Sequence, residues 1–498
     1  MSDNHHSKTN KTTNLPALLG ERYTEDFFER SFYQRDLASV PLFLARLLGN
    51  NLPAAVARPR DADEVEAVVR YAVDHRLALT PRAAATTVYW NTVPLRGGIV
   101  IDLTSLRGLV ELDEGKSTVT VLAGTRWADL EALLEQKGYS LYSYPTSAPA
   151  ATVGGWVNML GYGIGSLKYG GLEQLLIRLK VVLPDGQLIV VTQNSQPPLS
   201  WFTAAEGTLG IVTEVELPIR RKAESTSRHL LTCANLTLLQ NVATELAHHH
   251  PIPYYMHLST KDHMHLLELA GFKPPIKQPI LLVSYEGDRE EVEIGRIYLQ
   301  SCIHNFGGYE LPSELAEEEW TDRYYSLRMK RVGPTLLGSE FWLPLKRFTD
   351  YEAEVKRLAQ HQNIPISTYA HIVTPDYATV MSLYPSNESC TVGYLFDLSL
   401  TNQLYHIAFR NDGRPYGIGF WNTFYLRHQW SRAELVEHRR RKRMLDPLNL
   451  MNPGKLYSSP MFLPPFVFNL GMSVFAWLRR ILRISTWTRS IADSKTRA

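Results

Sequence analysis

Seven glycines fall within eighteen residues, Gly154, Gly155, Gly161, Gly163, Gly165, Gly170 and Gly171, in "YPTSAPAATVGGWVNMLGYGIGSLKYGG" (144–171). Glycine costs about 1 kcal/mol relative to alanine at an interior helical position, so this stretch cannot be one ordinary helix. Trp156, Met159, Leu160 and Tyr162 are interleaved with the glycines and would anchor the segment to a core. A glycine-rich backbone pinned by aromatics suits wrapping around a large flat ligand, whereas a plain loop would need no such anchors. No strand–GxGxxG–helix unit and no P-loop is present, so the ligand is not held by either familiar dinucleotide or phosphate device.

The text around this stretch alternates helix and strand signals. "RPRDADEVEAVVRYAVDHRL" opens on Asp61 with Glu64 three residues on, a capping-box spacing, and Val65, Val68, Val69, Ala72 and Val73 share a helical face. "GGIVIDL" and "STVTVLAG" read as strands, and "TRWADLEALLEQKG" as a helix with Thr125 as N-cap. "IRLKVVLPDGQLIVVT" reads as a hairpin around Pro184-Asp185-Gly186. Farther on, "NLTLLQNVATELAHHH" and "FTDYEAEVKRLAQHQ" are helical, while "PILLVSYEG" and "CTVGYLFDL" are short strands. The expected fold is α+β: a two-subdomain cofactor domain followed by an α+β cap with an antiparallel sheet. The expected organisation is a polar tail and helical lead-in (1–51), the cofactor domain (52–222), the cap (223–443), a return to the cofactor domain (444–458) and an apolar, basic tail (459–498).

Composition excludes several classes. The chain has 498 residues and a formal net charge of +2, so no basic excess points to nucleic acid. Cys233, Cys302 and Cys390 are odd in number and far apart, which builds neither a disulfide framework nor a zinc site and fits a reducing, cytoplasmic compartment. The tail has no charge from Met461 to Leu478 but carries Pro464 and Pro465, so an unbroken membrane span is not expected. Asn469, Ser473, Ala476, Arg480 and Arg483 form one narrow stripe on an otherwise apolar helix. Arg479, Arg480, Arg483 and Arg489 add positive charge, so 460–489 reads either as a helix lying on a membrane surface or as one packed on protein. A peripheral position at the inner face of a membrane follows from the first alternative.

Five stretches occur in order: "RAAATT", "ATVGGWVNMLGYGIGSLKYGG", "VVLPDGQLI", "AAEGTLGIVTEVEL" and "LDPLNLMNPGKL". Together they resemble the FAD-linked oxidase family with a flavin domain of the p-cresol methylhydroxylase/vanillyl-alcohol oxidase type. By pattern the chain is similar to its D-lactate, glycolate and D-2-hydroxyacid dehydrogenases and to its alkyl-dihydroxyacetone-phosphate synthases. The resemblance implies FAD as cofactor. Pro81, Arg82, Ala83, Ala84, Ala85, Thr86 and Thr87 match the pyrophosphate loop, with alanine where the family usually has two glycines. Alanine holds a positive φ poorly, so the loop is expected to differ or to bind FAD more weakly. The loop lacks the histidine that carries the flavin in some members, so the FAD is expected to be non-covalent.

The resemblance also places Pro145, Thr146, Ser147, Gly154, Gly155, Gly165, Ser166, Tyr169 and Gly170 along the isoalloxazine and ribityl chain. Glu206, Gly207, Gly210, Ile211 and Val212 match the adenine-side strand entry; Glu206 is expected to fix a turn or to contact FAD, not to move protons. Asn452, Pro453, Gly454 and Lys455 match the C-terminal return, with Lys455 approaching the flavin or the phosphates. The family's metal-binding HxGDGNxH aligns only at His371, with Ala378 at the second histidine position, so no metal site is expected. His371 is the candidate base, Tyr416 a second acid/base or orienting group, and Arg323 of Trp320-x-x-Arg323 the anchor for a carboxylate. The implied activity is oxidation of a small hydroxyl compound such as a 2-hydroxyacid, with electrons passing to a quinone, a carrier protein or O2. The alternatives are a flavin-binding subunit without turnover and a synthase-like member without net redox.

Overall fold

The computed structural model describes residues 14–458 and 463–482. Three sheets organise it. A four-stranded sheet has the order Tyr23–Thr24, Ala55–Ala57, Ile99–Asp102, Leu79–Arg82, with the last three strands parallel. The helix Ala62–Asp74 connects two of those parallel strands and buries Val65, Val68, Val69 and Ala72. Asp61 caps it by accepting from the Glu64 amide at 2.8 Å. Glu64 does not close the box; its carboxylate turns to Arg22 instead. Thr125 is not a cap either: its hydroxyl lies 3.0 Å from the Gly108 amide, and the next helix runs Trp127–Glu135.

A second, antiparallel sheet has the order Leu109–Asp113, Thr118–Leu122, Ile211–Arg221, Arg178–Val182, Leu188–Val191, and Tyr139–Leu141 also pairs with Ile211–Arg221. The hairpin around Pro184-Asp185-Gly186 is its last pair. The eleven-residue strand Ile211–Arg221 is therefore the spine of this sheet. It begins directly after the "AEGTLG" turn.

The third sheet is antiparallel and has eight strands. Side chains on a strand alternate between faces. On one face Met256, Leu258, Phe341, Leu343, Ala370, Ile372, Ala378 and Val380 join a buried cluster with Leu239, Val242, Leu246, Leu299 and Leu404 from the covering helices. The residues between them point the other way: Tyr255, His257, Glu340, Trp342, Tyr369, His371, Thr379 and Met381. Register places His257 opposite His371, His371 opposite Thr379, and Thr379 opposite Trp342. One face of this sheet is thus greasy and helix-covered, and the other is a row of imidazole, phenol, hydroxyl and indole groups.

"CTVGYLFDL" is not a strand. It opens the helix Thr391–Arg410, which buries Tyr394, Phe396, Leu400, Leu404 and Ile407. A short apolar run is ambiguous between a buried strand and a buried helix, and the apolar pattern here continues for twenty residues, too far for one strand.

The terminal helix Pro465–Leu482 packs antiparallel along that helix. Phe468 stacks on Phe424 at 3.8 Å, Phe475 meets Phe396 at 5.4 Å, and Asn469 faces His406 at 3.3 Å. Arg479 is buried; it donates to Gln362 Oε1 at 2.6 Å and pairs with Asp397 at 3.4 Å. Asn469, Ser473, Ala476 and Arg480 lie along a flank, not opposite the packed face. The face opposite is apolar and open: Phe466, Leu470, Val474, Trp477 and Ile481 are exposed, Phe466 at 72% and Trp477 at 60%. Arg483 and Arg489 lie outside the described residues. Among the described residues no helix is long and apolar enough to cross a membrane.

Arg479 is a buried guanidinium held by both Gln362 and Asp397, and breaking such a buried charged contact is strongly destabilising. Arg479→Ala should therefore cost about 3–5 kcal/mol, read as a lower urea midpoint together with early proteolysis near residue 480.

Candidate functional site

The strand Leu79–Arg82 runs directly into the Ala83–Thr87 loop. Ala85 stands at φ 52°, in the left-handed region. Alanine does here what glycine would do more cheaply, at a strain of about 1–2 kcal/mol. Opposite lies the short helix Val153–Met159, whose N-cap Thr152 accepts from the Gly155 amide at 3.2 Å. A Cβ on Gly154 would sit 2.6 Å from the Ala123 Cβ, and one on Gly155 would sit 2.9 Å from the Thr152 hydroxyl. Close packing, not a positive φ, requires glycine at these two places.

Loop and helix form two walls of a long cleft. Its lining includes Pro81, Arg82, Ala83, Ala84, Ala85, Thr86, Thr87, Ser147, Gly154, Gly155, Glu206, Gly207 and Val212. Pro145, Thr146, Gly165, Ser166, Tyr169, Gly170, Gly210, Ile211, Asn452 and Lys455 are absent from that lining. Several have other work. Ser166 bonds Ser143 at 2.7 Å and receives the Gly163 amide at 2.9 Å, which folds the glycine stretch on itself. Tyr169 stacks under Arg220 at 4.9 Å. Gly210 permits close approach of the spine strand to Val181, whose Cγ1 a Cβ would meet at 2.6 Å.

The cleft also takes Asn91, Thr92, Thr152, Trp156, Asn158 and Met159, none singled out as ligand contacts from the sequence. Thr152, Trp156, Asn158 and Met159 sit inside the glycine-rich stretch, and Asn91 and Thr92 follow the Ala/Thr loop by a few residues. Asn158 is the most informative. Its side chain donates to the Gly154 carbonyl at 2.9 Å and accepts the Gly207 amide at 2.9 Å, so it joins the helix to the turn across the cleft. An asparagine four residues after a glycine on a helix was the available signal.

Glu206 is buried at φ 48°. Its carboxylate accepts the Ile418 amide at 3.0 Å and the Gly419 amide at 2.8 Å. Burial pushes it up to about 7 despite those two donors. Its carbonyl accepts the Asn452 side chain at 2.7 Å, and Asn452 in turn accepts Lys455 at 2.7 Å. Burial pulls Lys455 down to about 7, with Asp36 and Glu206 opposing. Glu206, Asn452 and Lys455 therefore form a fastening at the end of the cleft.

Of the candidate substrate groups, His371 lies on the polar face of the eight-stranded sheet, Arg323 ends the helix Ser313–Asp322, and Tyr416 follows the edge strand Arg414–Pro415. Tyr255 OH meets His371 Nδ1 at 2.8 Å, His371 Nδ1 meets His257 Nδ1 at 3.1 Å, and His257 Nε2 meets Ser259 at 2.8 Å. Burial pulls His371 down to about 4, and burial with the neighbouring imidazole pulls His257 well below its usual value. Both rings are neutral at physiological pH. Arg323 lines a small cavity with Tyr255 and His257. Its guanidinium donates to the Trp320 carbonyl and the Tyr324 hydroxyl, both at 2.7 Å, and lies 4.0 Å from each of those rings. No carboxylate pairs with it among the described residues.

Tyr416 stands apart from His371, nearer the cleft. Its hydroxyl accepts the Tyr162 amide at 3.3 Å, and its ring lies 6.0 Å from Trp342. Beside it Glu340 accepts the Tyr89 hydroxyl and is pushed up to about 7 by burial. Tyr255, His257 and Glu340 went unnoticed in the sequence because they become neighbours only through strand register. The exposed His248–His250 run ends the helix Leu236–His248 and stays outside the site.

The family described as "FAD binding domain" matches residues 53–192, and that described as "FAD linked oxidases, C-terminal domain" matches residues 222–456. The chain is similar to the glycolate oxidase subunit GlcD of Bacillus subtilis (strain 168), 24% identical over 432 residues, covering 82% of this chain and 90% of that protein. It is also similar to the mitochondrial D-lactate dehydrogenase (cytochrome) of Arabidopsis thaliana, 23% identical over 471 residues, covering 91% and 80% of the two. The solved structure of p-cresol methylhydroxylase with substrate bound superposes with a TM-score of 0.76 at 12% identity, covering 89% of this chain and 96% of that one, and shares the fold. The cleft fits FAD: small residues on both walls let backbone approach a flat, phosphate-bearing ligand, and Arg82 lines it.

Relieving the strained alanine should tighten the cofactor. Ala85→Gly should lower the FAD dissociation constant about 5-fold, the equivalent of roughly 1 kcal/mol, measured by flavin fluorescence during titration of apoprotein.

Proposed function

We propose that this chain, which belongs to the FAD-linked oxidases with a p-cresol methylhydroxylase-type flavin domain, oxidises a small 2-hydroxyacid using non-covalent FAD. One observation carries the reading: Arg323, which has no carboxylate partner among the described residues, shares a small cavity with Tyr255 and His257, where the acids Glu319 and Asp322 are taken up by Arg328, next to a neutral, buried His371. That set matches the two ends of a 2-hydroxyacid. The carboxylate would take charge-assisted bonds from the guanidinium. The hydroxyl would give its proton to the imidazole, which is in its base form above about pH 4.

Bound FAD supplies the two-electron acceptor that no side chain can provide. The protein's own work is to hold and orient. Tyr255, 2.8 Å from His371 Nδ1, would accept from the Nδ1–H and so leave the Nε2 lone pair for the substrate hydroxyl. Tyr416 and Trp342, whose rings lie 6.0 Å apart, both meet Tyr162 and so join the polar face of the sheet to the glycine-rich stretch. The two curated relatives described above carry names for glycolate and D-lactate, both 2-hydroxyacids. The electron acceptor is a quinone, a carrier protein or O2.

The same reading places the protein peripherally, in the cytoplasm at an anionic membrane face. The open stripe Phe466, Leu470, Val474, Trp477 and Ile481 would enter the headgroup region, with the exposed Arg480 beside it.

Anaerobic mixing with a panel of D- and L-2-hydroxyacids should bleach the flavin; failure with every member would overturn the activity. With a substrate in hand, His371→Asn should lower kcat/KM about 10²–10⁴-fold at unchanged FAD content. Arg323→Met should act mainly by raising KM. Activity of the parent should be lost only as pH falls through about 4. Leu470→Glu/Trp477→Glu should abolish co-sedimentation with anionic vesicles, and unchanged sedimentation would reject the membrane placement.

A further inference from the structure

The Ala/Thr loop on one wall of the flavin cleft does not hold its own shape. Ala85 stands at φ 52° and Trp90 at φ 62°, both in the left-handed region. Such backbone is strained in residues with a side chain, and it persists only where surrounding structure over-determines it. Ala83, Ala84, Ala85 and Thr86 donate no backbone–backbone hydrogen bond among the described residues. Within the loop the Tyr89 amide reaches the Thr87 hydroxyl at only 3.3 Å.

Much of the hold comes from outside, from the helical lead-in. Three consecutive residues there each take one point of the loop. The Arg35 carbonyl accepts the Arg82 guanidinium at 2.6 Å, the Asp36 carboxylate accepts the Trp90 amide at 2.8 Å, and the Leu37 amide donates to the Thr87 carbonyl at 3.1 Å. Start, middle and end of the loop are thus all held, and the residues between the first two points, 83–86, line the cleft. The other oxygen of Asp36 accepts the Ala38 amide at 2.9 Å, a local turn that fixes the carboxylate in place. The segment is fastened on both sides of these residues. The Tyr33 hydroxyl donates to Asp102 at 2.6 Å, and the Arg82 guanidinium lies over the Tyr33 ring at 5.3 Å. The Ser39 carbonyl accepts the Tyr394 hydroxyl at 2.8 Å, and Arg35 pairs with Glu388 at 3.7 Å, which ties the segment to the cap.

We infer that residues 33–39 are a strap that sets the affinity for FAD, with Asp36 as its positioning residue. Asp36 is not part of the cleft lining. It acts through Trp90, by fixing the backbone turn that ends the loop, and so keeps 83–86 open toward the diphosphate of the cofactor. Glycine would take the left-handed conformation at position 85 without such support; alanine needs it. The lead-in thus compensates for the alanine of the loop. Only FAD is involved, so the strap works whichever compound the flavin oxidises.

Titration of apoprotein with FAD, followed by flavin fluorescence, tests this in two backgrounds. Asp36→Ala should raise the FAD dissociation constant about 10-fold, and Asp36→Asn, which keeps one acceptor, should raise it less. Once Ala85→Gly relieves the strain the loop needs less holding, so adding Asp36→Ala to that variant should raise the constant only about 2-fold. Equal losses in the two backgrounds would mark a merely structural role and overturn the inference. So would the absence of a loss in both. Hydrogen exchange on the parent protein does not depend on how any variant folds. FAD should slow exchange of the Leu37 and Trp90 amides, which donate across the joint, about 10-fold, and leave the strands Ser225–Thr232 and Ile280–Gly287 unchanged. Exchange at Leu37 and Trp90 that ignores FAD would equally overturn the strap.

Discussion

A single buried carboxylate fastens three parts of the chain. Glu206 accepts two backbone amides from Ile418 and Gly419, more than two hundred residues away, while its own carbonyl holds Asn452. The spine of the second sheet starts five residues later, at Ile211. The segment it grips carries Tyr416 just before the contact and Trp421 just after. Moving Glu206 would shift the floor of the cleft, the Tyr416 wall and the C-terminal return together. A protonatable side chain at the cofactor site invites a catalytic reading, but every strong contact of this one is structural. Two amide donors and complete burial give it the geometry of a cap.

The eight-stranded sheet solves a second problem. A sheet inside a protein needs cover on both faces, and helices cover one. The other face is polar, and it meets the flavin-binding half through Tyr162 against Trp342 at 4.7 Å and Tyr89 against Glu340. Polar groups at that depth survive because they satisfy one another: phenol to imidazole, imidazole to hydroxyl. Burial then keeps the histidines neutral, the form a proton acceptor needs. Packing and acid–base state have one cause.

Much of this was legible in the chain. The glycine stretch with its aromatic anchors, the Ala/Thr loop and the AEG turn lie in order, and each is a local arrangement of a few residues. Most residues named from them for the cofactor line the cleft. The failures follow a pattern. "CTVGYLFDL" looked like a strand because a nine-residue apolar window does not separate the two periods when both faces are buried. The stripe on the terminal helix was real, but the sequence could not say that it runs along a flank. That depends on Phe424, Phe396 and Asp397, which claim one apolar face and leave the other open.

The sequence by itself determined the α+β class and the glycine-dependent loops, because backbone freedom and side-chain size act within a few residues, and its resemblance to a known family implied the cofactor. It also offered His371, Arg323 and Tyr416 as separate candidates. Only tertiary structure decided their relation. His371 acquires Tyr255 and His257 through antiparallel register, and Tyr416 is set against Trp342 and the Tyr162 amide, away from the histidines. Strand pairing joins residues more than a hundred positions apart and is fixed by the burial of whole faces, so no local pattern announces which histidine will stand beside which tyrosine.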